Sequence, residues 1–164
     1  MPESHEDLFR EPGTTGLEDV AVRQLHPQDL DAVVRIDQRN SGNNRREYFK
    51  KKLDEHLKNA GIRISLAAEF DGTFAGFVLG RLYYGEFGIP EPSAIIDTIG
   101  VEPALRGHHV GRALLHQLET NLHGLRIEKI LTNVDWKNVD LIGFFAASDF
   151  KPAPVLCLEK NLKH

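Results

Sequence analysis

One stretch in the middle of the chain passes from an apolar strand through a turn with proline and glycine into an amphipathic helix. Residues 95–101 form a β-rich run, residues 102–107 contain Pro103 and Gly107, and apolar residues then recur at helical spacing from Val110. The first amides of a helix have no partner within it and carry the positive end of the helix dipole. The stretch therefore predicts an anion-binding turn at the end of a strand.

Composition limits the classes of protein to which the chain can belong. Its 164 residues, 41% of them hydrophobic, suit one globular domain with a single core. No apolar run approaches the roughly 20 residues that cross a membrane, and the acidic start is not a signal peptide. Acidic residues outnumber basic ones by 24 to 20, which argues against a nucleic-acid partner. The single cysteine, Cys157, cannot form an internal disulfide, so we expect a reducing cytoplasm.

Hydrophobic periodicity divides the chain into a loose tail, residues 1–19, and a single domain, residues 20–164. The predicted elements of the domain are a strand at 20–25, helices from 26 and at 45–60, strands at 62–70, 73–84 and 95–101, a helix from 108, a strand at 128–135, a short helix through 141–145 and a last strand within 152–159. Asp71-Gly72 suits a two-residue hairpin turn. The order predicts an α/β fold with a mixed, mostly antiparallel central sheet flanked by helices.

The turn and the helix after it carry the residues of a known motif. The segment V-x-P-x-x-R-G-x-x-V-G at 101–111 resembles the acyl-CoA-binding motif of the GNAT superfamily of N-acetyltransferases. The resemblance extends from about residue 20 to residue 160, because the order of elements matches and Asn138 with the run 139–150 resembles the family's last helix. It implies a GNAT-like sheet in which a splayed strand pair holds the acyl-CoA.

The resemblance also implies a reaction and a set of contacts. An amine would attack the thioester of acetyl-CoA directly. The residues implied for the cofactor are Ile99, Gly100, Val101, Arg106, Gly107, His108, His109, Val110, Gly111, Arg112, Asn138 and Phe145. The strand residues would pair with the pantetheine arm, the N–H of Ile99 or its neighbour would stabilise the oxyanion, and the amides at the helix start would hold the diphosphate. For the arginines the alternative is surface salt bridging.

Two positions that matter for chemistry depart from the family pattern. His109 stands where the first glycine of the diphosphate turn usually lies; its N–H remains, but its Cβ narrows the approach. Phe145 stands where many members have the tyrosine thought to protonate the departing thiolate. A missing general acid costs about 10²- to 10⁴-fold, yet a thiol with a pKa near ~8.5 leaves tolerably well unaided. Water, or a hydroxyl such as that of Tyr83, Tyr84 or Ser148, is an alternative proton donor, and the sequence does not choose among them.

Asp97 is the first candidate for the general base. Alternation would place it on one strand face with Ile95 and Ile99, and a half-buried carboxylate with a raised pKa would suit the task of accepting the amine's proton. The alternative is a structural role, in which Asp97 accepts hydrogen bonds from a loop or pairs with an arginine. Glu86 is a second candidate. It lies in the loop 85–92, which forms either a wall of the acceptor site or a plain hairpin connection.

The acceptor site is less defined by the sequence than the cofactor site. We expect Tyr83, Tyr84 and Trp136 to line it; for Trp136 the alternative is packing in the core or at a homodimer interface. The basic residues of 45–52 would favour an acidic acceptor, or they form the solvated face of a helix. Cys157, in the last predicted strand, is expected to be a small core residue.

Other classes of protein fit the sequence less well. Phe145 favours a sensor that binds acyl-CoA without turning it over. A nucleotide-binding domain of another α/β fold would place its glycine motif after the first strand, whereas here several strands precede it. His109, His116 and His123 recur every seven residues, about 10 Å apart along a helix, too far to share one zinc ion. We therefore expect no metal site.

Overall fold

A computed structural model describes residues 19–58 and 64–163, which fall in two compact units: the described residues up to 133 and those from 134 on. The elements of the first unit are β1 (Val20–Gln24), α1 (Leu30–Ser41), α2 (Arg46–Leu57), β2 (Leu66–Phe70), β3 (Thr73–Tyr83), β4 (Ser93–Val101), α3 (Val110–Gly124) and β5 (Ile130–Thr132). The second unit contains α4 (Val139–Ala147). The predicted tail, apart from Asp19, and the junction at 59–63 lie outside the described residues.

The five strands form one sheet in the order β1-β2-β3-β4-β5. The first four strands are an antiparallel meander, and β5 runs parallel to β4. The predicted mixed, mostly antiparallel sheet with flanking helices is therefore confirmed. The hairpin between β2 and β3 turns at Asp71 (φ 52°) and Gly72 (φ 74°), the positive angles that the sequence predicts there.

Helices cover both faces of the sheet in the first unit. On one face, α1 and α2 contribute Ile36 and Phe49 to a buried cluster with Phe77 of β3. On the other face, α3 approaches so closely that a Cβ at Gly76 would lie 2.9 Å from a side-chain carbon of Val110. Because neighbouring residues of a strand point to opposite faces, Gly76 faces α3 while Phe77 packs against α1 and α2.

A β-bulge interrupts the pairing of β3 with β4 at Asp97. Leu79 lies opposite Thr98 and Gly80 lies opposite Ile96, so Asp97 is the extra residue of β4. The bulge shifts the alternation of side chains by one residue. The prediction that Asp97 shares a face with Ile99 is therefore wrong, since the neighbour Gly100 faces the α1–α2 side, as Asp97 does.

The predicted strand within 152–159 is absent from the described residues 134–163. Pro152 and Pro154 have no N–H to donate to a neighbouring strand, which weakens pairing throughout this short segment. Leu156 and Leu158 are exposed, and Cys157 is exposed as well, so the core position expected for it is wrong. Within the described part of the chain, no helix combines the length and the apolar character that crossing a bilayer requires.

Candidate active site

The start of α3 offers several backbone amides that have no partner among the described residues. Gly107 (φ 84°) and His109 (φ 62°) both adopt the left-handed conformation and turn the chain into the helix. The first amide bonded into the helix is that of Ala113, which donates to the carbonyl of His109 over 2.9 Å. Within the described chain no bond is recorded for five of the predicted amides, which are those of Gly107, His109, Val110, Gly111 and Arg112. They form a site suited to an anion.

Two predicted members of this turn behave differently from the rest. The amide of His108 donates to the carbonyl of Leu105 over 3.1 Å, so it is already bonded within the turn, and its contact with a diphosphate stays a prediction. The guanidinium of Arg106 donates to Oδ1 of Asn40 in α1. Neither Arg106 nor Arg112 forms an ion pair with a carboxylate of the described residues, so the structure does not support surface salt bridging for them. Both positive charges lie in the same turn as the unpaired amides.

The edge of β4 that leads to this turn is open. β5 pairs with β4 only as far as Ile96, opposite Thr132, while β4 continues to Val101. The amide of Glu102 donates to the carbonyl of Ala75 over 2.8 Å. In an antiparallel pair, hydrogen-bonded and non-hydrogen-bonded residue pairs alternate, so this bond shows which residues of β4 bond to β3. Ile99 and Val101 fall in the non-hydrogen-bonded pairs, so their N–H groups point to the open edge.

Gly100 has a packing role that differs from the predicted one. By the same alternation its N–H and C=O point toward β3 and away from the open edge, so its backbone contact with a cofactor stays a prediction without support from this orientation. A Cβ at this position would lie 2.7 Å from Cε1 of Phe77 and 3.4 Å from Cγ2 of Ile36. The glycine allows the phenyl ring to lie against β4 beneath α1.

Three nitrogen-bearing side chains surround the carboxylate of Asp97. Nε2 of His56 lies 2.9 Å and Nζ of Lys52 lies 3.7 Å from Oδ2, and Nε of Arg81 lies 3.5 Å from Oδ1. Although Nε2 of His56 is within hydrogen-bond distance, the buried Oδ2 receives no hydrogen bond of good geometry from the described residues. The approach of His56, with Lys52 and Arg81, outweighs burial and lowers the pKa of Asp97. The predicted raised pKa is therefore wrong.

Sequence reasoning missed His56, whose side chain is only 3% exposed. Its position in α2 gave a signal, because it follows the buried Phe49 by seven residues and the buried Leu53 by three. That spacing puts the histidine on the apolar face of the helix, among residues that pack on the sheet. A polar side chain on such a face needs polar partners, and here they are the carbonyl of Gly80 and the carboxylate of Asp97.

The loop between β3 and β4 carries the aromatic residues of the predicted acceptor wall. The ring of Tyr83 stacks on that of Phe87, with centroids 6.4 Å apart and planes inclined by 27°. Desolvation and the nearby carboxylate of Glu86 raise the pKa of Tyr83, which keeps its hydroxyl able to donate. Tyr84 and Glu86 are exposed. Their roles as acceptor contact and second base stay predictions.

The sequence alone identifies the group to which the chain belongs. A model of the acetyltransferase (GNAT) family matches residues 30–150, which is most of the chain. This chain belongs to the acetyltransferase (GNAT) family. As a member it is an N-acetyltransferase. No curated protein sequence gives a significant match.

Several solved structures of this family share the fold. They include the aminoglycoside N-acetyltransferase AAC(6')-Iy in complex with CoA, at 16% identity over 88% of this chain and 95% of that chain, with a TM-score of 0.71. A ribosomal-protein-alanine N-acetyltransferase from Brucella melitensis biovar Abortus 2308 is 18% identical over 88% of this chain and 99% of that chain, with a TM-score of 0.68. The aminoglycoside acetyltransferase meta-AAC0020 from an uncultured soil metagenomic sample is 14% identical over 89% and 98%, with a TM-score of 0.68.

The acyl-CoA that the family uses fits the groups found in the first unit. The outward N–H groups of Ile99 and Val101 suit the amides of a pantetheine arm, and the amides at the start of α3 suit a diphosphate. His109 holds the left-handed angle that a glycine adopts without strain, and it keeps the N–H that the family pattern uses. Having histidine instead of glycine at position 109 therefore adds backbone strain to the turn but leaves its N–H donors in place.

The second unit contains three further predicted site residues. Asn138 begins α4, where its Oδ1 accepts a hydrogen bond from the amide of Leu141 over 3.2 Å. Phe145 is buried, with its ring 4.9 Å from that of Phe150. Trp136 is 85% exposed, so the core alternative for it is wrong. Contacts of Asn138 and Phe145 with acyl-CoA, and of Trp136 with an acceptor, stay predictions.

The basic residues near α2 are for the most part paired. Arg45 binds Asp37, Arg46 binds Asp31, and Lys52 lies beside Asp97. The remaining lysines, Lys50 and Lys51, lie on an exposed face of α2 among Glu47, Asp54 and Glu55. This run is therefore a solvated helix face with ion pairs at its edges, and it gives no support to an acidic acceptor.

Proposed function

We propose that the enzyme transfers the acetyl group of acetyl-CoA to a primary amine of a peptide, a protein N-terminus, a lysine side chain or a small molecule. One observation carries the proposal: the open edge of β4 leads directly to the unpaired amides of α3. Both features belong to one strand–turn–helix segment. An extended polar arm and an anion can therefore be bound in sequence, which is the chemistry of a CoA thioester.

In the proposed reaction the amine nitrogen attacks the thioester carbonyl carbon. The C–N bond forms, the C–S bond breaks, the nitrogen loses a proton and the sulfur leaves as thiolate or thiol. The amine must be neutral to attack, which favours an α-amino group with a pKa of about 8 over a lysine with a pKa of about 10.4. We assign the N–H of Ile99 to the oxyanion, since it points to the open edge beside the bulge.

We propose Asp97 as the group that assists the amine, with Glu86 as the second candidate. The lowered pKa of Asp97 makes it a weak base, so its larger contribution is electrostatic: an ionised carboxylate attracts the positive charge that the nitrogen gains. For the departing sulfur, Tyr83 is a candidate proton donor, because a tyrosine hydroxyl is protonated at neutral pH, while its raised pKa makes it a weaker acid than an ordinary tyrosine.

The second candidate function is an acyl-CoA sensor of the same fold. Two observations favour it, the phenylalanine at position 145 and the low basicity of Asp97. For the compartment, the lone Cys157 favours a reducing cytoplasm.

One assay separates the two functions. Acetyl-CoA is incubated with the enzyme and a panel of peptides, amino acids, aminoglycosides and polyamines, and free thiol is followed. We expect acceptor-dependent release that falls about 100-fold in Asp97→Asn and is unchanged in Asp54→Asn, which alters an exposed residue of α2. CoA binding without release on any acceptor supports the sensor. If titration with millimolar CoA gives no heat in the calorimeter, both the transferase and the sensor are excluded.

A further inference from the structure

The ring of His56 bridges the two strands at the β4 bulge. Nδ1 lies 2.8 Å from the carbonyl oxygen of Gly80 in β3, and Nε2 lies 2.9 Å from Oδ2 of Asp97 in β4. Gly80 is the β3 residue at which the register shifts, and Asp97 is the extra residue of β4. One buried side chain from α2 therefore contacts both sides of the irregularity.

The chemistry of the two partners decides where the ring protons lie. A backbone carbonyl only accepts, so Nδ1 carries its hydrogen and donates to Gly80. Nε2 then faces a carboxylate, which is also an acceptor, and the contact attracts only when a proton lies between the two atoms. Oδ2 of Asp97 has no aligned donor among the described residues, and His56 is the nearest group that can supply one.

The β3 side of this bridge is fixed by other contacts. Oγ of Ser65 donates to the carbonyl of Gly80 and accepts from its amide, both over 3.2 Å. A Cβ at Gly80 would lie 2.8 Å from the carbonyl oxygen of Ile64, so the two backbones are in close contact. A substitution of His56 should therefore alter the structure mainly in β4, at Asp97.

The side chains that face Asp97 come from two elements. His56 and Lys52 approach from α2, Arg81 approaches from β3, and the carboxylate itself belongs to β4. Loss of the histidine leaves the carboxylate with the cations of Lys52 and Arg81, but the side chains that bond the carbonyl of Gly80 are His56 and Ser65. What disappears is the bridge between the strands.

We propose that His56 is a positioning residue that joins Gly80 to Asp97 across the bulge and thereby keeps the N–H of Ile99 turned to the open edge of β4. Without the bulge, the alternation of β4 moves by one residue and that N–H points toward β3. The inference rests on the proposed function, because an outward N–H at Ile99 matters for catalysis only when a thioester lies beside it.

Three substitutions of His56 separate its two contacts. His56→Gln places a side-chain N–H near the position of Nε2 and keeps the contact with Asp97. His56→Asn places one near Nδ1 and keeps the bond to Gly80. His56→Leu fills the space and keeps neither. Urea unfolding of each variant shows whether it is folded under the assay conditions.

The first measurement is amide hydrogen exchange in the free protein, which does not depend on activity. We expect the amides of Thr98 and Gly100, which bond into β3, to exchange about 10-fold faster in His56→Leu, as the loss of roughly one hydrogen bond would give. His56→Gln should stay closer to the wild type than His56→Asn. Exchange at these two amides that is the same in His56→Leu and in the wild type overturns the proposal.

The second measurement compares kcat for acceptor-dependent thiol release with the Kd for CoA. In His56→Leu we expect kcat to fall about 10- to 100-fold, as when an oxyanion donor is displaced, while the Kd changes less than about 2-fold, because the α3 amides are untouched. Equal losses in kcat and CoA affinity, or a glutamine variant as impaired as the leucine variant, contradict the positioning role. If the wild type turns over no acceptor, only the proposed function is contradicted. The exchange measurement still decides whether His56 holds the bulge.

Discussion

The side-chain amide of Asn40 donates to the carbonyl oxygen of Val101 over 3.1 Å, which ties the last turn of α1 to the end of β4. Oδ1 of the same side chain accepts from Arg106. One residue of α1 therefore holds both the strand end and the first arginine of the motif. Beside it, Arg39 pairs with Glu102 over 2.6 Å. The geometry of the open edge depends on a helix about 60 residues earlier in the chain.

We expect Asn40→Ala to weaken CoA binding. The change removes two hydrogen bonds that orient Val101 and Arg106, each worth about 0.5 to 1.5 kcal/mol, so their joint loss corresponds to a rise in Kd of roughly 5- to 150-fold. Calorimetric titration with CoA measures it. Asn43→Ala is the matched control, because the side chain of Asn43 bonds only within its own turn. An unchanged Kd in Asn40→Ala would show that this tie does not support the cofactor site.

Gly100→Ala should destabilise the protein. The new Cβ would lie 2.7 Å from Cε1 of Phe77, and overpacking of this kind costs about 1 to 3 kcal/mol. The free energy of unfolding in urea is the readout. Gly143→Ala in α4 serves as control, since a Cβ there meets nothing within 4 Å and alanine favours a helix by up to about 1 kcal/mol. Adding Phe77→Leu to Gly100→Ala should recover part of the loss; no recovery would mean that the clash is elsewhere.

His109→Gly should stabilise the turn relative to His109→Ala. Both variants remove the imidazole, but only glycine adopts φ near 62° without strain, a difference of about 1 kcal/mol. Thermal unfolding of the two variants gives the difference. Because the backbone N–H survives in both, CoA affinity should not fall in His109→Gly. A loss of affinity in this variant would show that the imidazole itself contacts the cofactor.

Stability should fall as the pH drops below about 4, the ordinary value for an aspartate. The pKa of Asp97 is lowered by His56, Lys52 and Arg81 in the folded state, so the carboxylate stabilises the fold above its unfolded pKa and loses that effect as the pH falls through its folded pKa. Burial alone would raise the pKa of Asp29, but Arg23 and the amide of His26 outweigh burial, and this pKa is lowered too. Urea unfolding between pH 3 and pH 7 measures the effect.

The matched variants are Asp97→Asn and Asp54→Asn. The first should show a shallower loss of stability at low pH than the wild type, because one of the two carboxylates with a lowered pKa among the described residues is gone. The second changes an exposed residue of α2 and should follow the wild type. Identical curves for Asp97→Asn and the wild type would mean that the cations around Asp97 do not stabilise its ionised form.

Local signals in the sequence predicted most of the elements and the family. The periods of apolar residues located α2 and α3, and Asp71-Gly72 located the hairpin, since these features depend on neighbours within a few residues. The failed strand at 152–159 had the right composition, but a strand forms only where another strand accepts its hydrogen bonds, and proline lacks the donors.

The sequence by itself determined the strand–turn–helix segment and its unpaired amides, because the residues involved are adjacent and their chemistry is local. Only the tertiary structure decided that β4 bulges at Asp97, that Ile99 rather than Gly100 faces the open edge, and that His56 meets Asp97. These relationships depend on the register between two strands and on the packing of α2 over them. Residues distant in the chain set both, and no local period encodes them.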